Sequence, residues 1–130
     1  MKQPFHAGTT ALVLVTACFA ASPKVNALDD KELRHRFADN NGVRLHYVTV
    51  GDKGPLVVML HGFPDFWYSW REQMEAIKGS HRVAAMDLRG YNQSGKPKGV
   101  ASYRMDLLVE DVKAVIRHAG EEKAVIVGHD

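Results

Sequence analysis

The sequence predicts an α/β fold: a mostly parallel sheet with flanking helices, incomplete on its C-terminal side. Three short apolar runs have the length and composition of buried strands, at residues 56–60, 81–87 and 124–127. Two longer segments, 66–77 and 102–120, place apolar residues at helical spacing. Strands that alternate with helices are typical of right-handed crossovers in a parallel sheet. Because these elements leave one sheet edge uncovered, we expect the chain to be the front part of a larger domain.

A hairpin is predicted ahead of these elements, over residues 34–51. The turn falls at Asn40-Asn41-Gly42, whose residues tolerate positive φ. The second strand shows a moderately regular period of two, in which Val43, Leu45, Tyr47 and Thr49 alternate with Arg44, His46, Val48 and Val50. His46 is assigned to the surface or a strand edge, as are His81 and His118.

Both helices carry local signals in the sequence. The first, predicted over residues 66–77, presents an apolar stripe made of Trp70, Met74 and Ile77. The second, over residues 102–120, is predicted to have Ser102 as its N-cap and Gly120 as its stop. Its expected apolar face consists of Met105, Leu108, Val112, Val115 and Ile116. Residues 88–99, rich in Gly and Pro, are predicted to be a loop.

The first 27 residues have the organisation of a secretory signal peptide. Lys2 precedes an apolar run at residues 11–21, which is too short to span a bilayer comfortably. We expect cleavage after Ala27 and an exported protein, periplasmic or secreted, whose folded domain is 28–130. Two alternatives stay open: a lipoprotein anchored through an acylated Cys18, or an uncleaved N-terminal anchor.

The charge distribution argues against a basic surface that binds nucleic acid. Residues 28–130 hold 15 Lys and Arg against 15 Asp and Glu, so the net charge of +2 belongs to the leader. No spacing of His, Asp or Glu suggests a metal site. We therefore expect no nucleic-acid partner, no metal, and no membrane association of the mature form unless Cys18 is lipidated.

Three glycine-containing loops follow the three apolar strands. They are HGFPD at residues 61–65, DLRGYNQSGKP at 87–97 and GHD at 128–130. In an open parallel sheet the carboxyl ends of the strands meet at one edge, where ligands bind. The three loops are therefore expected to line one rim.

Together these motifs resemble the α/β-hydrolase fold family and, within it, the epoxide hydrolases. The likeness runs from about residue 36 to residue 130. Gly128-His129-Asp130 is similar to the first half of the family's nucleophile elbow, which implies that Asp130 is the nucleophile. The resemblance also implies a small-molecule substrate, an epoxide or an organohalide, and no cofactor. It places an oxyanion-hole donor at the backbone N–H of Phe63.

An aspartate at the elbow, rather than a serine, decides the type of reaction. A carboxylate that attacks a saturated carbon forms an ester, which water cleaves at its carbonyl, whereas a serine would form a stable ether. Asp130 therefore suits an epoxide or a carbon–halogen bond, by a covalent route in two steps. Backbone N–H donors that are held in place stabilise the oxyanion formed when the ester is hydrolysed.

The residues next to Phe63 are predicted to support this site. Gly62 allows the backbone to come close to the nucleophile, and the family's sharp turn implies a cis Phe63–Pro64 bond. His61 is expected to be a buried histidine that bonds loop backbone. His129 is expected to point away from the site and has no assigned catalytic role.

Aromatic residues that follow this loop supply the rest of the predicted substrate pocket. Trp67 or Tyr68 is expected to approach the substrate together with Phe63, while Trp70 packs under the sheet. Asn92 stands where the family usually has glycine. Because asparagine is the residue most able to replace glycine at positive φ, we expect the turn to survive.

Two alternative functions stay open. A dehalogenase of the same fold would use Asp130 in the same way on haloalkanes or haloacetates, although haloalkane enzymes commonly carry Asn where Phe63 stands. The other alternative is a non-catalytic fragment, because the family's general-base histidine, its acid partner and its cap tyrosines would lie beyond residue 130. We therefore expect these 130 residues alone to show no turnover.

Overall fold

A computed structural model of the chain describes residues 27–130, which form a five-stranded sheet with helices on both faces. The predicted signal peptide, apart from Ala27, lies outside the described residues, and so does Cys18. The strands are β1 (Arg34–Asn40), β2 (Val43–Val50), β3 (Leu56–Leu60), β4 (Arg82–Met86) and β5 (Val125–Gly128), and the helices are α1 (Arg71–Ile77) and α2 (Met105–His118). Among the described residues, no helix is both long enough and apolar enough to cross a bilayer.

The sheet is mixed, with strand order β1-β2-β4-β3-β5. β3 pairs in parallel with both β4 and β5, as the apolar runs predict. β2 is antiparallel to both of its neighbours, so it alone runs against the other four described strands. The hairpin is the physical reason, because its short turn at Asn41 and Gly42, both at positive φ, reverses the chain.

β2 is buried on both faces, which the alternating pattern did not predict. Leu45 and Tyr47 join a core cluster with Ala114 and Val115 of α2. The opposite face of β2 packs in a second cluster that contains Trp70 and Met74. The assignment of His46 to the surface is wrong, because its side chain lies in this second layer and is fully buried.

The segment predicted as one helix over residues 66–77 is divided in the structure. Trp67–Trp70 forms a 3-10 turn and α1 follows directly from Arg71. Both Trp67 and Trp70 are buried and pack under the sheet with Met74. The 3-10 turn is therefore part of the core under the sheet, and it connects the loop after β3 to α1.

The second predicted helix begins three residues late, and Ser102 is not its N-cap. Ser102 lies in a 3-10 turn, and its hydroxyl donates back to the Lys98 carbonyl (2.8 Å) rather than forward to a helix N–H. Met105, predicted to be buried, is 73% exposed in the first turn of α2. Gly120 ends the helix as predicted, at φ +84°, and the N–H of Glu121 bonds the Ile116 carbonyl.

Candidate active site

The three glycine-containing loops meet at one rim, as predicted. Leu60, the last residue of β3, lies opposite Met86 of β4 and Gly128 of β5. The carboxyl ends of three parallel strands are therefore level with one another. HGFPD, DLRGYNQSGKP and GHD begin at, or one residue beyond, these paired positions.

Asp130 is exposed at this rim, and the backbone of Gly62 lies against it. A β-carbon placed on Gly62 would stand 2.7 Å from the Asp130 carbonyl carbon and 3.1 Å from its Cα. The predicted close approach at Gly62 is thus observed. Next to Asp130 opens a cleft of about 450 Å³. Its apolar lining comes mainly from α2 and the strand ends, with Leu60, Leu88, Met105, Leu108, Val109 and Val112.

Phe63 presents a free backbone amide and an exposed ring. The Phe63–Pro64 bond is cis, as predicted. Among the hydrogen bonds within residues 27–130, none uses the Phe63 N–H, so this donor is available at the rim. The ring is 82% exposed and does not line the cleft beside Asp130, so its assignment to the substrate pocket is not supported within residues 27–130.

Trp67 does not line the cleft beside Asp130 either, so its assignment to the substrate pocket stays a prediction. Its backbone N–H is held by the Asp87 carboxylate (2.9 Å). This anchor turns the indole down into the core layer under the sheet, where it is 7% exposed. Its outer edge, with Tyr68, lines a separate cleft near Leu28 and Leu33.

His61 is buried and bonds the backbone of two loops, as expected for a structural histidine. Its Nδ1 lies 2.8 Å from the Gly62 carbonyl oxygen, and the Leu88 N–H donates to its Nε2 (3.1 Å). The ring of Tyr91 packs edge-on against it, with centroids 4.9 Å apart. His61 therefore connects the loop after β3 to the loop after β4. His129, by contrast, is exposed, and its ring packs on Trp70.

A buried carboxylate that was not predicted joins the same loops from the other side. Asp87, which directly follows β4, is fully buried and accepts hydrogen bonds from His46 Nδ1 (2.6 Å), Trp67 N–H (2.9 Å) and Asn92 Nδ2 (2.8 Å). Asn92 has φ +38°, so the turn survives as predicted, and its side chain also ties the turn to Asp87. The one signal that the sequence offers for this contact is a polar residue in each of two neighbouring segments, His46 in β2 and Asp87 directly after β4.

These bonds set the charge state of Asp87. Burial raises the pKa of its carboxyl group, but the hydrogen bond from His46, the Trp67 N–H and the Asn92 amide together outweigh burial. The pKa of Asp87 therefore lies below the ordinary value of 3.8. An ionised carboxylate only accepts, so His46 carries its proton on Nδ1.

A buried ion pair between Arg89 and Asp111 fixes the first part of the loop after β4. Arg89 donates two hydrogen bonds to Asp111 of α2 (2.5 and 2.6 Å) and a third to the Ser102 carbonyl (2.6 Å). Asn40 adds a further donor to Asp111 (2.7 Å). The pair with Asp111 raises the pKa of Arg89. The loop is thus held to the helix that forms one wall of the cleft.

The described residues do not form a cluster of three or more His, Cys, Asp or Glu side chains that could hold a metal ion. The site offers instead one exposed carboxylate, a free backbone N–H and an apolar cleft. Such a carboxylate can attack a small carbon electrophile, and such an N–H can stabilise an oxyanion formed when the resulting ester is hydrolysed.

Comparison with known protein families identifies the class of this protein. The family model for the alpha/beta hydrolase fold matches residues 55–130, which is more than half of the chain. The chain therefore belongs to the α/β-hydrolase fold family.

Curated relatives narrow the resemblance. The chain is 48% identical over 92 residues to epoxide hydrolase 4 of Mus musculus, covering 70% of this chain and 26% of that protein. It is 47% identical over 100 residues to epoxide hydrolase B of Mycobacterium tuberculosis, covering 74% and 28%. An AB hydrolase superfamily protein of Bacillus subtilis, YfhM, is 46% identical over 97 residues, covering 73% and 34%. The chain spans about a quarter to a third of the length of these relatives.

Solved structures show the same fold. An epoxide hydrolase from an endophytic Streptomyces superposes with a TM-score of 0.74 at 48% identity, covering 78% of this chain and 30% of that one. The epoxide hydrolase VrEH1 from Vigna radiata gives a TM-score of 0.73 at 40% identity, covering 78% and 33%. The hairpin, the parallel strands and the rim loops thus follow an architecture found in epoxide hydrolases.

Gly62→Ala tests the contact between the two loops. The added methyl would meet Asp130 backbone, which cannot move as a flexible side chain can, so we expect the free energy of unfolding to fall by about 1–3 kcal/mol. Urea denaturation measures this loss. Gly79→Ala is the matched control, because nothing lies within 4 Å of its β-carbon, and a change within about 1 kcal/mol is expected. Equal effects of the two variants would contradict the close approach at Gly62.

The pH dependence of stability tests the Asp87 contacts. Because the pKa of Asp87 is lowered by folding, its carboxylate stabilises the fold above pH 3.8, and this stability is lost as the pH falls through the lower folded value. Asn92→Gly keeps the positive φ but removes one donor, so the folded pKa of Asp87 is lowered less. We therefore expect the variant to lose less stability than the wild type between pH 7 and pH 2, and to complete this loss at a higher pH. The free energy of unfolding of the wild type and of Asn92→Gly, measured between pH 2 and pH 7, provides the comparison. Superimposable profiles would show that Asn92 does not act on Asp87.

Proposed function

We propose that this chain carries the nucleophile and one oxyanion donor of an epoxide hydrolase, with Asp130 as the nucleophile. The observation that carries the proposal is the exposed Asp130 carboxyl group at the end of β5, with the Gly62 backbone against it and an apolar cleft beside it. The similarity to epoxide hydrolases at about 45% identity supports the reaction class.

The proposed reaction has two steps. A carboxylate oxygen of Asp130 attacks a ring carbon of the epoxide, the C–O bond breaks, and the released oxygen takes up a proton, which leaves a hydroxyalkyl ester. Water then attacks the ester carbonyl, the Phe63 N–H stabilises the oxyanion, and collapse releases a diol and restores the carboxylate.

The lining of the cleft favours an epoxide over a haloacetate. A haloacetate is an anion, and it would lie beside the Asp130 carboxylate among apolar side chains, with no Lys or Arg in the described lining. Like charges repel, and the cost of burying an unpaired charge is large. An uncharged epoxide meets neither penalty.

We also propose that these residues alone stop at the ester. Hydrolysis requires a base that takes a proton from water. His61 has both ring nitrogens engaged with backbone, and the ring of His129 packs on Trp70. Neither histidine of the cleft is therefore placed as that base.

Export from the cytoplasm is proposed from the sequence of the leader. Leu28 and Leu33 pack against the core cluster under the sheet, so the residues that follow the predicted cleavage site belong to the fold. We expect N-terminal sequencing of the protein recovered from outside the cytoplasm to begin at Leu28. A mature protein that begins at Cys18 with a lipid attached would instead establish the lipoprotein alternative.

Intact-mass spectrometry after incubation with a small uncharged epoxide tests the nucleophile. We expect an adduct with the full mass of the epoxide, mapped by peptide analysis to Asp130, and no accumulation of diol. Asp130→Asn should abolish the adduct, because a neutral amide is a poor nucleophile. Asp106→Asn, which changes an exposed carboxylate on α2, is the matched control and should keep it.

Other outcomes of this experiment are equally informative. An adduct on another residue, or one that persists in Asp130→Asn, would refute the assignment of the nucleophile. An adduct formed from chloroacetate but not from an epoxide would favour the dehalogenase alternative. Sustained diol release would contradict the proposed arrest at the ester.

A further inference from the structure

We propose that His61 is a positioning residue that sets the direction of the Phe63 N–H at the rim. The inference rests on the proposed function, in which this N–H is an oxyanion donor. It assigns to His61 a role beyond filling the core: the imidazole acts on the donor through the intervening Gly62 carbonyl.

The hydrogen bonds of His61 define its tautomer. The Leu88 N–H is a donor and has no lone pair to accept with, so Nε2 of His61 must accept and carries no proton. The proton of the neutral ring therefore resides on Nδ1, which donates to the Gly62 carbonyl oxygen at 2.8 Å. The opposite tautomer would break both contacts at once.

The bond to Gly62 fixes the next N–H because the peptide unit is planar. The Gly62–Phe63 bond is trans, so the Gly62 C=O and the Phe63 N–H point in opposite directions within one plane. His61 Nδ1 and the Asp65 N–H (3.0 Å) both bond the Gly62 oxygen and hold that plane from one side. The Phe63 N–H is left on the other side, without a partner among the described residues.

The imidazole is itself held firmly enough to impose this direction. His61 is 3% exposed, and Tyr91 packs against its ring. The Leu88 N–H that donates to Nε2 belongs to the residue directly after Asp87, whose carboxylate is fixed by four donors. The loop after β4 thus fixes the His61 ring, and the ring in turn fixes the Gly62–Phe63 peptide, whose N–H is the proposed oxyanion donor.

Two substitutions test the contacts of Nδ1 and Nε2 of His61 separately. In His61→Asn the side-chain amide can occupy the place of Nδ1 and donate to Gly62, but it does not reach Leu88. In His61→Gln the amide can reach the place of Nε2 and accept from Leu88, but the donor to Gly62 is lost. A purely structural role predicts that both variants behave alike, or that Gln, which is closer in size, is tolerated better.

The test uses NMR of the 15N-labelled protein without substrate. We expect the His61 ring to show the Nδ1–H tautomer in long-range 1H–15N spectra. The residual dipolar coupling of the Phe63 N–H should stay at its wild-type value in His61→Asn and change in His61→Gln. The couplings of β3 and β4 amides serve as the control for the fold in both variants.

Two results would overturn the inference: an Nε2–H tautomer, or a Phe63 coupling that His61→Gln leaves unchanged. The tautomer of the wild-type protein decides the question even if a variant fails to fold. Because no epoxide is used, the result is independent of the nucleophile. Failure of Asp130 to be alkylated, with the tautomer and coupling as expected, would refute the proposed function and leave the positioning by His61 intact.

Discussion

The buried carboxylate of Asp87 is the interaction on which the geometry of the rim depends. It joins β2 through His46, the loop after β3 through the Trp67 N–H, and the loop after β4 through Asn92. A carboxylate removed from water is tolerated only when donors occupy its oxygens, and here three neighbouring segments supply them. Removing any one segment would leave a buried charge short of a partner, so the three segments are stable only together.

His61 joins two of the same loops a second time, nearer to the nucleophile. Asp87 fixes Trp67 beyond the end of the HGFPD loop, whereas His61 fixes Gly62 at its beginning. A short loop held at both ends has little freedom between them, and Phe63 lies in that interval. The Arg89–Asp111 pair secures the opposite side, where the loop after β4 meets α2. The donor and the wall of the cleft are therefore positioned by buried polar contacts rather than by apolar packing.

The sequence predicts most of the fold because its signals are local. The apolar runs of β3 and β5, the turn at Asn41 and Gly42, and the stop at Gly120 each depend on a few neighbouring residues, and all are observed. His46 could not be placed in this way, since its burial depends on the rings of His35 and Phe37 in β1 and on the Asp87 carboxylate, 41 residues further along the chain. Serine is a residue type that often caps helices, but the Arg89 guanidinium donates to the Ser102 carbonyl oxygen and holds Ser102 in the turn before α2.

In the candidate active site, too, the features set by neighbouring residues could be predicted from the sequence, whereas those set by distant residues could not. Gly62 and the Phe63–Pro64 turn are predictable because they concern the backbone of one short motif. The orientation of Trp67 is not, because the Asp87 carboxylate holds its amide from 20 residues away along the chain. Aromatic residues next to a catalytic motif suggest a pocket wall, yet a single long-range hydrogen bond turns this one into the core.

The distance between Gly62 and Asp130 is set by the register between β3 and β5. Leu60 of β3 pairs with Gly128 of β5, and each of the two site residues stands two positions beyond this pair. A slip of β5 by one residue would carry Asp130 away from Gly62 and would also turn Val127 out of the core cluster under the sheet. The register that buries Val127 is thus the register that places the carboxylate beside Gly62. Apolar packing selects the strand pairing, and the pairing sets the spacing that the chemistry requires.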